Sequence, residues 1–173
     1  WRDVRHPRAG GADFRLQQVY SPLVQAGHKV VLYSCAFPGA SRTASIDGIR
    51  VFRVGNDWTF SLLCFWNLRK WVEEHRPDVV VEDLNKLPFY SPWVYKGPLV
   101  VQMHHLWRGS IFRETIWPIA LLIWLAEKSV RWVYQGCVFS VVSPSTKGEL
   151  VEMGLPDKSI EVIYNGADLK AYH

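Results

Sequence analysis

The chain has 173 residues, of which 49% are hydrophobic and 14% aromatic, including nine tryptophans. This composition excludes intrinsic disorder and predicts a single domain, residues 1–173, with a full hydrophobic core. The net charge of +4 is weaker and less spread along the chain than in most nucleic-acid-binding proteins, so we expect no nucleic-acid partner. A phosphate-bearing small molecule or an anionic membrane surface suits this charge better.

The elements predicted in the first half of the chain begin with an amphipathic helix. Apolar residues spaced three and four apart indicate a helix over 12–26. Gly27 follows as a left-handed cap, and Pro22 is expected to kink or break the helix because it lacks a backbone donor. Two short strands and a second helix follow; they cover 29–34, 49–54 and 60–74.

The second half continues the alternation of strand and helix. Continuous apolar runs predict four further strands, at 78–82, 98–105, 137–143 and 159–166. Two further helices are predicted: a long one over 114–134, and one after Pro144 with Ser143 or Ser145 as N-cap and Gly154 at its end. The longest apolar run, 116–126, is too short to span a bilayer.

This alternation predicts an α/β fold with a doubly wound, mostly parallel, Rossmann-like sheet. In such a sheet a strand precedes the first glycine loop, so we expect that strand to be largely missing here and Trp1 to be its remnant. The three cysteines are odd in number and lack metal-type spacing, which favours small buried hydrophobic residues in a reducing cytoplasm over a disulfide or zinc site.

Ligands of open parallel sheets bind at the carboxyl ends of the strands, and the first candidates there are Gly10 and Gly11. They precede the first predicted helix, where backbone N–H groups and the helix dipole favour an anion, although a tight turn explains them equally well. The pair is not a GxGxxG motif, and the strand at 29–34 does not end in an acidic residue. A dinucleotide site of the usual kind is therefore not expected.

Polar residues after the later strands supply the other candidates. Neighbouring residues in a strand point to opposite faces, so His104 and His105 do not share a metal ion unless the strand has already ended. A histidine at that point suits a polar contact with substrate, or a hydrogen bond to backbone in the core. Asn85 follows another strand but also fits a solvated loop, and Ser145 and Thr146 fit either helix capping or a contact with a phosphate or hydroxyl.

Taken together, the segments "HPRAGGAD", "LVQAGHKVVLYS", "DGIRVFRVG", "RPDVVVEDLNKLPF", "PLVVQMHHL", "SPSTKGEL" and "IEVIYNGAD" resemble the amino-terminal domain of family-4 retaining glycosyltransferases of the two-domain GT-B type. The resemblance covers essentially the whole chain. It implies the acceptor-side half of an enzyme that transfers a sugar from a nucleotide sugar to a glycan or lipid-linked acceptor with retention of configuration. No metal or other cofactor is implied.

The resemblance also implies roles for particular residues. Gly10 and Gly11 match the glycine loop that approaches the donor phosphates, and His104 matches a histidine that contacts the transferred sugar or the acceptor, with His105 as the alternative. Asp13 stands where the family commonly has Glu. The carboxyl-terminal, donor-binding domain is absent from the chain, so we expect the fragment to be inactive alone and that domain to be its partner.

Two alternatives stay open. Trp, Arg and Lys beside an apolar stretch over 106–134 are typical of interface-seeking helices, so peripheral contact with the inner membrane face is expected as an alternative to a core helix. The second alternative is a non-catalytic Rossmann-like module that binds a sugar phosphate or a partner protein. A dehydrogenase is less favoured because the dinucleotide fingerprint is absent.

Overall fold

The computed structural model describes residues 1–84 and 87–166. The chain forms two compact units, the first containing Trp1–Leu63 and the second Cys64–Asn165. Each unit combines helices with a β-sheet, which confirms the predicted α/β class.

The first unit opens with helix α1, Gly11–Gln25. The break expected at Pro22 does not occur, because Pro22 lies in the last turn, where only one helical hydrogen bond is lost, and its carbonyl accepts the N–H of Ala26 at 2.9 Å. Gly27 has φ +93° and ends the helix in the left-handed conformation, as predicted.

The sheet of the first unit has three strands, β1 (Val31–Cys35), β2 (Thr43–Ile46) and β3 (Ile49–Val54), in the order β1-β3-β2. β1 and β3 are parallel, whereas β2 and β3 form an antiparallel hairpin. Its two turn residues, Asp47 and Gly48, both have positive φ. The sequence pattern did not predict β2, because its four residues include three small or polar ones and only Ile46 is buried.

Apolar side chains from the strands and α1 form the core of the first unit. Ile46, Ile49 and Val51 are buried, and Val24 and Leu32 pack against them. The carbonyl of Trp1 accepts the N–H of Cys35 at 2.7 Å, so the beginning of the chain lies beside the end of β1. The helix α2, Phe60–His75, begins in the first unit and continues into the second.

The second unit contains a four-stranded parallel sheet flanked by helices. Its strands are β4 (Val80–Leu84), β5 (Leu99–Met103), β6 (Val138–Val141) and β7 (Ile160–Val162), in the order β4-β5-β6-β7. Their register aligns Leu84 with Met103 and Met103 with Val141, so the residues that follow these strands emerge at one edge. This edge is where a Rossmann-like sheet binds ligands.

The helices of the second unit after α2 are α3 (Ser91–Val94), α4 (Ile111–Glu114), α5 (Trp117–Val133) and α6 (Pro144–Met153). The long helix predicted from Glu114 begins three residues later, because Thr115 is extended and Pro118 lies in the first turn of α5, where a missing N–H costs nothing. None of the helices in residues 1–84 and 87–166 is long and apolar enough to cross a membrane.

The core of the second unit is built mainly from strand residues. Val101, Met103, Phe139 and Val141 are completely buried, and Leu150 of α6 joins them. Burial on both faces explains why these strands are nearly continuous apolar runs. The three cysteines, Cys35, Cys64 and Cys137, are free thiols.

Candidate functional site

His104 lies one residue beyond β5, among polar side chains from β4 and β5. Its Nε2 is 3.4 Å from Oδ1 of Asp83 and 3.1 Å from Nε2 of Gln102. Asp83 and Gln102 are register partners on adjacent strands, so the pairing of β4 with β5 creates this cluster. Both contacts involve Nε2 and fix the orientation of the partly buried ring, whereas Nδ1 takes part in neither.

The main chain at His104 is held by the first turn of α6. Thr146 donates its hydroxyl to the carbonyl of His104 at 3.3 Å and is buried. Ser143, not Ser145, is the N-cap of α6, and its hydroxyl oxygen accepts the N–H of Thr146 at 3.1 Å. The predicted residue Thr146 therefore positions the histidine, while Ser145 is exposed at the start of the helix.

The predicted residue His105 lies apart from this cluster. His105 is exposed, and its ring packs edge-on against Trp107 with the centroids 4.8 Å apart. β5 ends at Met103, before both histidines. The two side chains nevertheless contact different residues. Asn85 lies outside the described residues.

A buried carboxylate anchors the loop after β4. Glu82 accepts hydrogen bonds from the N–H of Phe89 at 2.7 Å, the N–H of Ser91 at 3.3 Å and the hydroxyl of Tyr134 at 2.7 Å. Burial raises the pKa of Glu82 above its usual range, although these donors offset part of the rise. Tyr134 also accepts the N–H of Tyr90 at 2.8 Å, so α5 and β4 together fix this loop.

A second carboxylate anchors the loop after β5. Glu127 of α5 accepts the N–H of Trp107 at 2.6 Å and the N–H of Arg108 at 2.8 Å. Burial raises the pKa of Glu127, and the two backbone donors lower it only in part. The segment that follows His104 and His105 therefore has a fixed path.

A cavity of about 330 Å³ lies beside this loop, lined by residues of α5 and α6. Its charged lining residues are three basic and three acidic ones: Arg108, Lys128, Arg131, Glu127, Glu149 and Glu152. Arg108 is paired with both Glu149 and Glu152. The balance of charge gives this cavity no preference for an anionic ligand.

Gly10 and Gly11 lie at the amino end of α1 in the first unit, and both are exposed. A Cβ added at either position would meet no atom within 4 Å. Gly10 has φ −127° and ψ −171°, an extended conformation open to any residue. Neither backbone strain nor packing within the described residues requires glycine here.

Asp13 already uses one of the N–H groups at this helix end. Its Oδ2 accepts the N–H of Gly10 at 2.8 Å, and its Oδ1 accepts the N–H of Arg2 at 3.3 Å. The acidic side chain in the first turn thus caps the helix, and its negative charge interacts favourably with the positive end of the helix dipole. The N–H groups of Gly11 and Ala12 are not used by Asp13.

Two arginine side chains hold the segment before Gly10 and Gly11 in place through Asp57. Arg2 donates Nε and Nη2 to Oδ1 of Asp57 at 3.2 and 2.8 Å, and Arg8 pairs with Oδ2 of the same carboxylate. Nδ1 of His6 accepts the N–H of Arg8 at 3.0 Å. Burial, followed by the charges of Arg2 and Arg8, lowers the pKa of His6.

His6, Cys35 and Asp57 bring one potential metal-ligand atom each within 4.8 Å of one another. Both oxygens of Asp57 are engaged by guanidinium groups. The neutral ring of His6 carries its proton on Nε2, because Nδ1 is an acceptor. Burial also raises the pKa of the Cys35 thiol. These contacts disfavour a cation at this trio.

The sequence indicated His104, Thr146 and the glycine pair, but it missed the residues that hold them. Asp83 and Gln102 are polar residues inside apolar strands, a signal that could have found them. Glu127 is likewise the only acidic residue in 115–134. Asp57 carries no local signal, because its partners come from the first eight residues.

The geometry of the second unit is that of a Rossmann-like domain with polar residues at the carboxyl edge of its sheet. The family model described as Glycosyltransferase Family 4 matches residues 9–171, which include the glycine pair and every strand. The chain is therefore a glycosyltransferase domain. It belongs to Glycosyltransferase Family 4. No curated protein matches the sequence.

Proposed function

We propose that this chain is the acceptor-side domain of a two-domain GT-B enzyme that transfers a sugar from a nucleotide sugar to a glycan or lipid-linked acceptor. We also propose that transfer retains the configuration of the sugar and uses no metal. Membership of the family supports glycosyl transfer in general. The finer assignments rest on the residues at the two predicted positions, the glycine pair and His104.

The observation that carries the proposal is the uncovered glycine pair. Since neither conformation nor packing requires glycine at 10 or 11, the missing side chains serve to leave backbone accessible. The N–H groups of Gly11 and Ala12 and the positive end of α1 suit the diphosphate of a sugar donor. A side chain at either position would occupy the space that this diphosphate needs.

His104 supplies the second contact of the proposal. Asp83, Gln102 and Thr146 hold its ring and its main chain, so the histidine is preorganised to hydrogen-bond a hydroxyl of the transferred sugar or the acceptor. The exposed hydroxyl of Ser145 offers a further contact at the start of α6. The three free thiols support a cytoplasmic location for the reaction.

The test compares Gly11→Ala with Gly148→Ala in the full-length product of the gene. Both positions are helical and have open space for a Cβ, so each substitution should raise the free energy of unfolding, by roughly 0.5 kcal/mol. Gly11→Ala should lower kcat/KM for nucleotide sugars at least about tenfold, because the methyl group meets the donor phosphates. Gly148→Ala should leave it unchanged.

The measurement is release of nucleoside diphosphate from a panel of nucleotide sugars, with urea unfolding in parallel. Equal activity of the two variants would exclude a donor contact at Gly11. The 173-residue chain should show no turnover without the donor-binding domain. Turnover by this chain alone would contradict the two-domain proposal.

A further inference from the structure

Two polar side chains from adjacent strands contact the same nitrogen of His104. Its Nε2 lies 3.4 Å from Oδ1 of Asp83 and 3.1 Å from Nε2 of Gln102. Gln102 is buried, and the side chains of His104 and Asp83 are only 16% and 17% exposed. Because little water reaches these groups, a repulsive or unsatisfied contact among them would cost free energy.

The carboxylate of Asp83 determines which ring nitrogen carries the proton. A neutral imidazole has one N–H donor and one acceptor nitrogen, whereas an ionised carboxylate can only accept. A lone pair on Nε2 would face the lone pairs of Asp83, and the two groups would repel each other. A proton on Nε2 makes the same contact attractive, so the pairing of β4 with β5 favours that form of the ring.

The side chain of Gln102 fits either form of the ring. Rotation of its carboxamide by half a turn exchanges an N–H donor for an oxygen acceptor of nearly the same size. Within residues 1–84 and 87–166 the carboxamide makes no hydrogen bond except the one to His104, so this rotation breaks no other contact there. Asp83, and not Gln102, therefore selects the form of the ring.

The other ring nitrogen remains available to a ligand. In the part of the chain that the structure describes, Nδ1 of His104 makes no hydrogen bond. The buried residue Thr146 donates to the carbonyl of His104, so the main chain that carries the ring is also held. With the proton on Nε2, Nδ1 of the neutral ring is a hydrogen-bond acceptor in a fixed position.

We infer that Asp83 is a positioning residue, which keeps the proton of His104 on Nε2 and so makes Nδ1 the acceptor for a hydroxyl group of the sugar or the acceptor substrate. The form of the ring follows from the described residues alone, whereas the contact with a hydroxyl rests on the proposed function. The direction of the hydrogen bond has a consequence for specificity. A hydroxyl can donate to Nδ1, but a fluorine or ether oxygen in its place cannot.

The first test locates the proton and does not require activity. Nuclear magnetic resonance of the ring nitrogens in the 173-residue chain, well above the ordinary pKa of histidine, shows which nitrogen carries it, and His104→Gln identifies the signals of His104. Nearly all molecules should carry the proton on Nε2. Asp83→Asn should lower that fraction to about two thirds or less, because a carboxamide can donate to Nε2 as well as accept from it.

The matched control is Asp78→Asn. It makes the same chemical change at an exposed residue just before β4, and it should leave the ring signals of His104 unchanged. Urea unfolding of both variants measures any loss of stability separately. A purely structural role of Asp83 would lower stability without moving the proton of the ring.

The second test returns the carboxylate from the neighbouring strand. In the full-length enzyme, Asp83→Asn should lower kcat/KM about tenfold. Adding Gln102→Glu places a carboxylate at the other contact of Nε2, with almost no change in side-chain size, and should recover at least about a third of the lost activity. The same double variant should restore the proton on Nε2 in the resonance experiment.

The third test determines the direction of the hydrogen bond. Donor and acceptor analogues in which one hydroxyl at a time is replaced by fluorine are compared in the unmodified enzyme and in Asp83→Asn. For the hydroxyl that contacts Nδ1, the loss of kcat/KM should be at least about fivefold larger in the unmodified enzyme. Equal losses in the two enzymes for every analogue would contradict the contact.

Two results would overturn the inference about the ring itself. One is a proton on Nδ1 in the unmodified chain, and the other is an unchanged fraction on Nε2 in Asp83→Asn. Failure of the full-length protein to transfer a sugar would instead contradict the proposed function. The resonance experiment would still decide the form of the ring, so the two failures are distinguishable.

Discussion

His104 is held at both its side chain and its main chain. Asp83 and Gln102 contact one ring nitrogen, and Thr146 contacts the carbonyl. Two of these three groups come from strands of the buried sheet, where a polar side chain costs free energy unless it has a partner. The arrangement restricts the ring more than a histidine on an open loop would be restricted.

A comparison of the two adjacent histidines tests this role. In the full-length enzyme, His104→Asn should lower kcat/KM by a factor of about 100, because it removes a preorganised hydrogen bond to the sugar or acceptor. His105→Asn should cost only a few-fold, since that ring is exposed and packs on Trp107. The measurement is kcat and KM for donor and acceptor separately, and equal losses in the two variants would argue against the distinction.

The sequence predicts where His104 lies but not what surrounds it. A histidine directly after an apolar run falls at the carboxyl edge of a parallel sheet, whichever strands are neighbours. The contact with Asp83 depends on the register of β4 against β5, and that register is set by packing along the whole sheet. The ion pairs of Asp57 also depend on tertiary packing, because Arg2 is 55 residues away in the sequence, so the sequence pattern did not predict them.

At the scale of the element, α5 serves two loops at once. Tyr134 receives the N–H of Tyr90 in the loop after β4, and Glu127 receives two N–H groups in the loop after β5. The helix therefore determines the path of both segments that lead away from the candidate site in the second unit. The exposed apolar side chains of α5 take no part in these hydrogen bonds.

Glu127→Gln should loosen the loop after β5. The amide can accept at one oxygen only, so one of the N–H groups of Trp107 and Arg108 loses its partner, at a cost of about 1–3 kcal/mol. Hydrogen exchange of peptides covering 105–112 should become faster. Glu114→Gln is the matched control on an exposed side chain, and unchanged exchange in Glu127→Gln would show that the loop does not depend on this carboxylate.

Element boundaries were predicted best where a terminating residue lies in the sequence. Gly27 ended α1 and Gly154 ended α6, both with positive φ. The start of α5 was misplaced because Thr115 is extended, a conformation that the apolar pattern does not report. The sequence pattern did not predict β2, because pairing with β3, and not the composition of the segment, stabilises this strand.

At the scale of the whole molecule, buried ionisable groups in the two units respond to pH in opposite directions. Asp3 in the first unit forms a buried pair with Arg53 at 2.7 Å. Burial raises its pKa, but the hydrogen bonds from Arg53 and other donors outweigh burial and hold the pKa below the usual 3.8. In the second unit, burial raises the pKa of both Glu82 and Glu127 above the usual 4.5.

These shifts predict opposite trends in stability. Asp3 stabilises the first unit above pH 3.8, and that contribution is lost as the pH falls through the lower folded-state value. The raised pKa values of Glu82 and Glu127 mean that the folded state holds protons more tightly than the unfolded state, so the contribution of these two groups to stability is fully present below pH 4.5 and is lost as the pH rises through their raised values.

Hydrogen exchange, corrected for the intrinsic effect of pH, measures both trends in one experiment. Acidification should reduce protection in β1 and β3 of the first unit and increase it in β4 and β5 of the second. Asp3→Asn should remove the first trend and Glu127→Gln should reduce the second. Protection that changes in the same direction in both units would contradict the assignment.

The thiols have a practical consequence for spectroscopy. Cys35 and Cys64 are enclosed, and burial raises the pKa of Cys35 and of the partly covered Cys137. The thiolate is the nucleophile that adds to a maleimide, so the natural cysteines should react slowly near neutral pH. A cysteine introduced at an open position such as 58, where Trp58 is 82% exposed, would be labelled first. A fluorophore or spin label can then be attached without removing the native thiols.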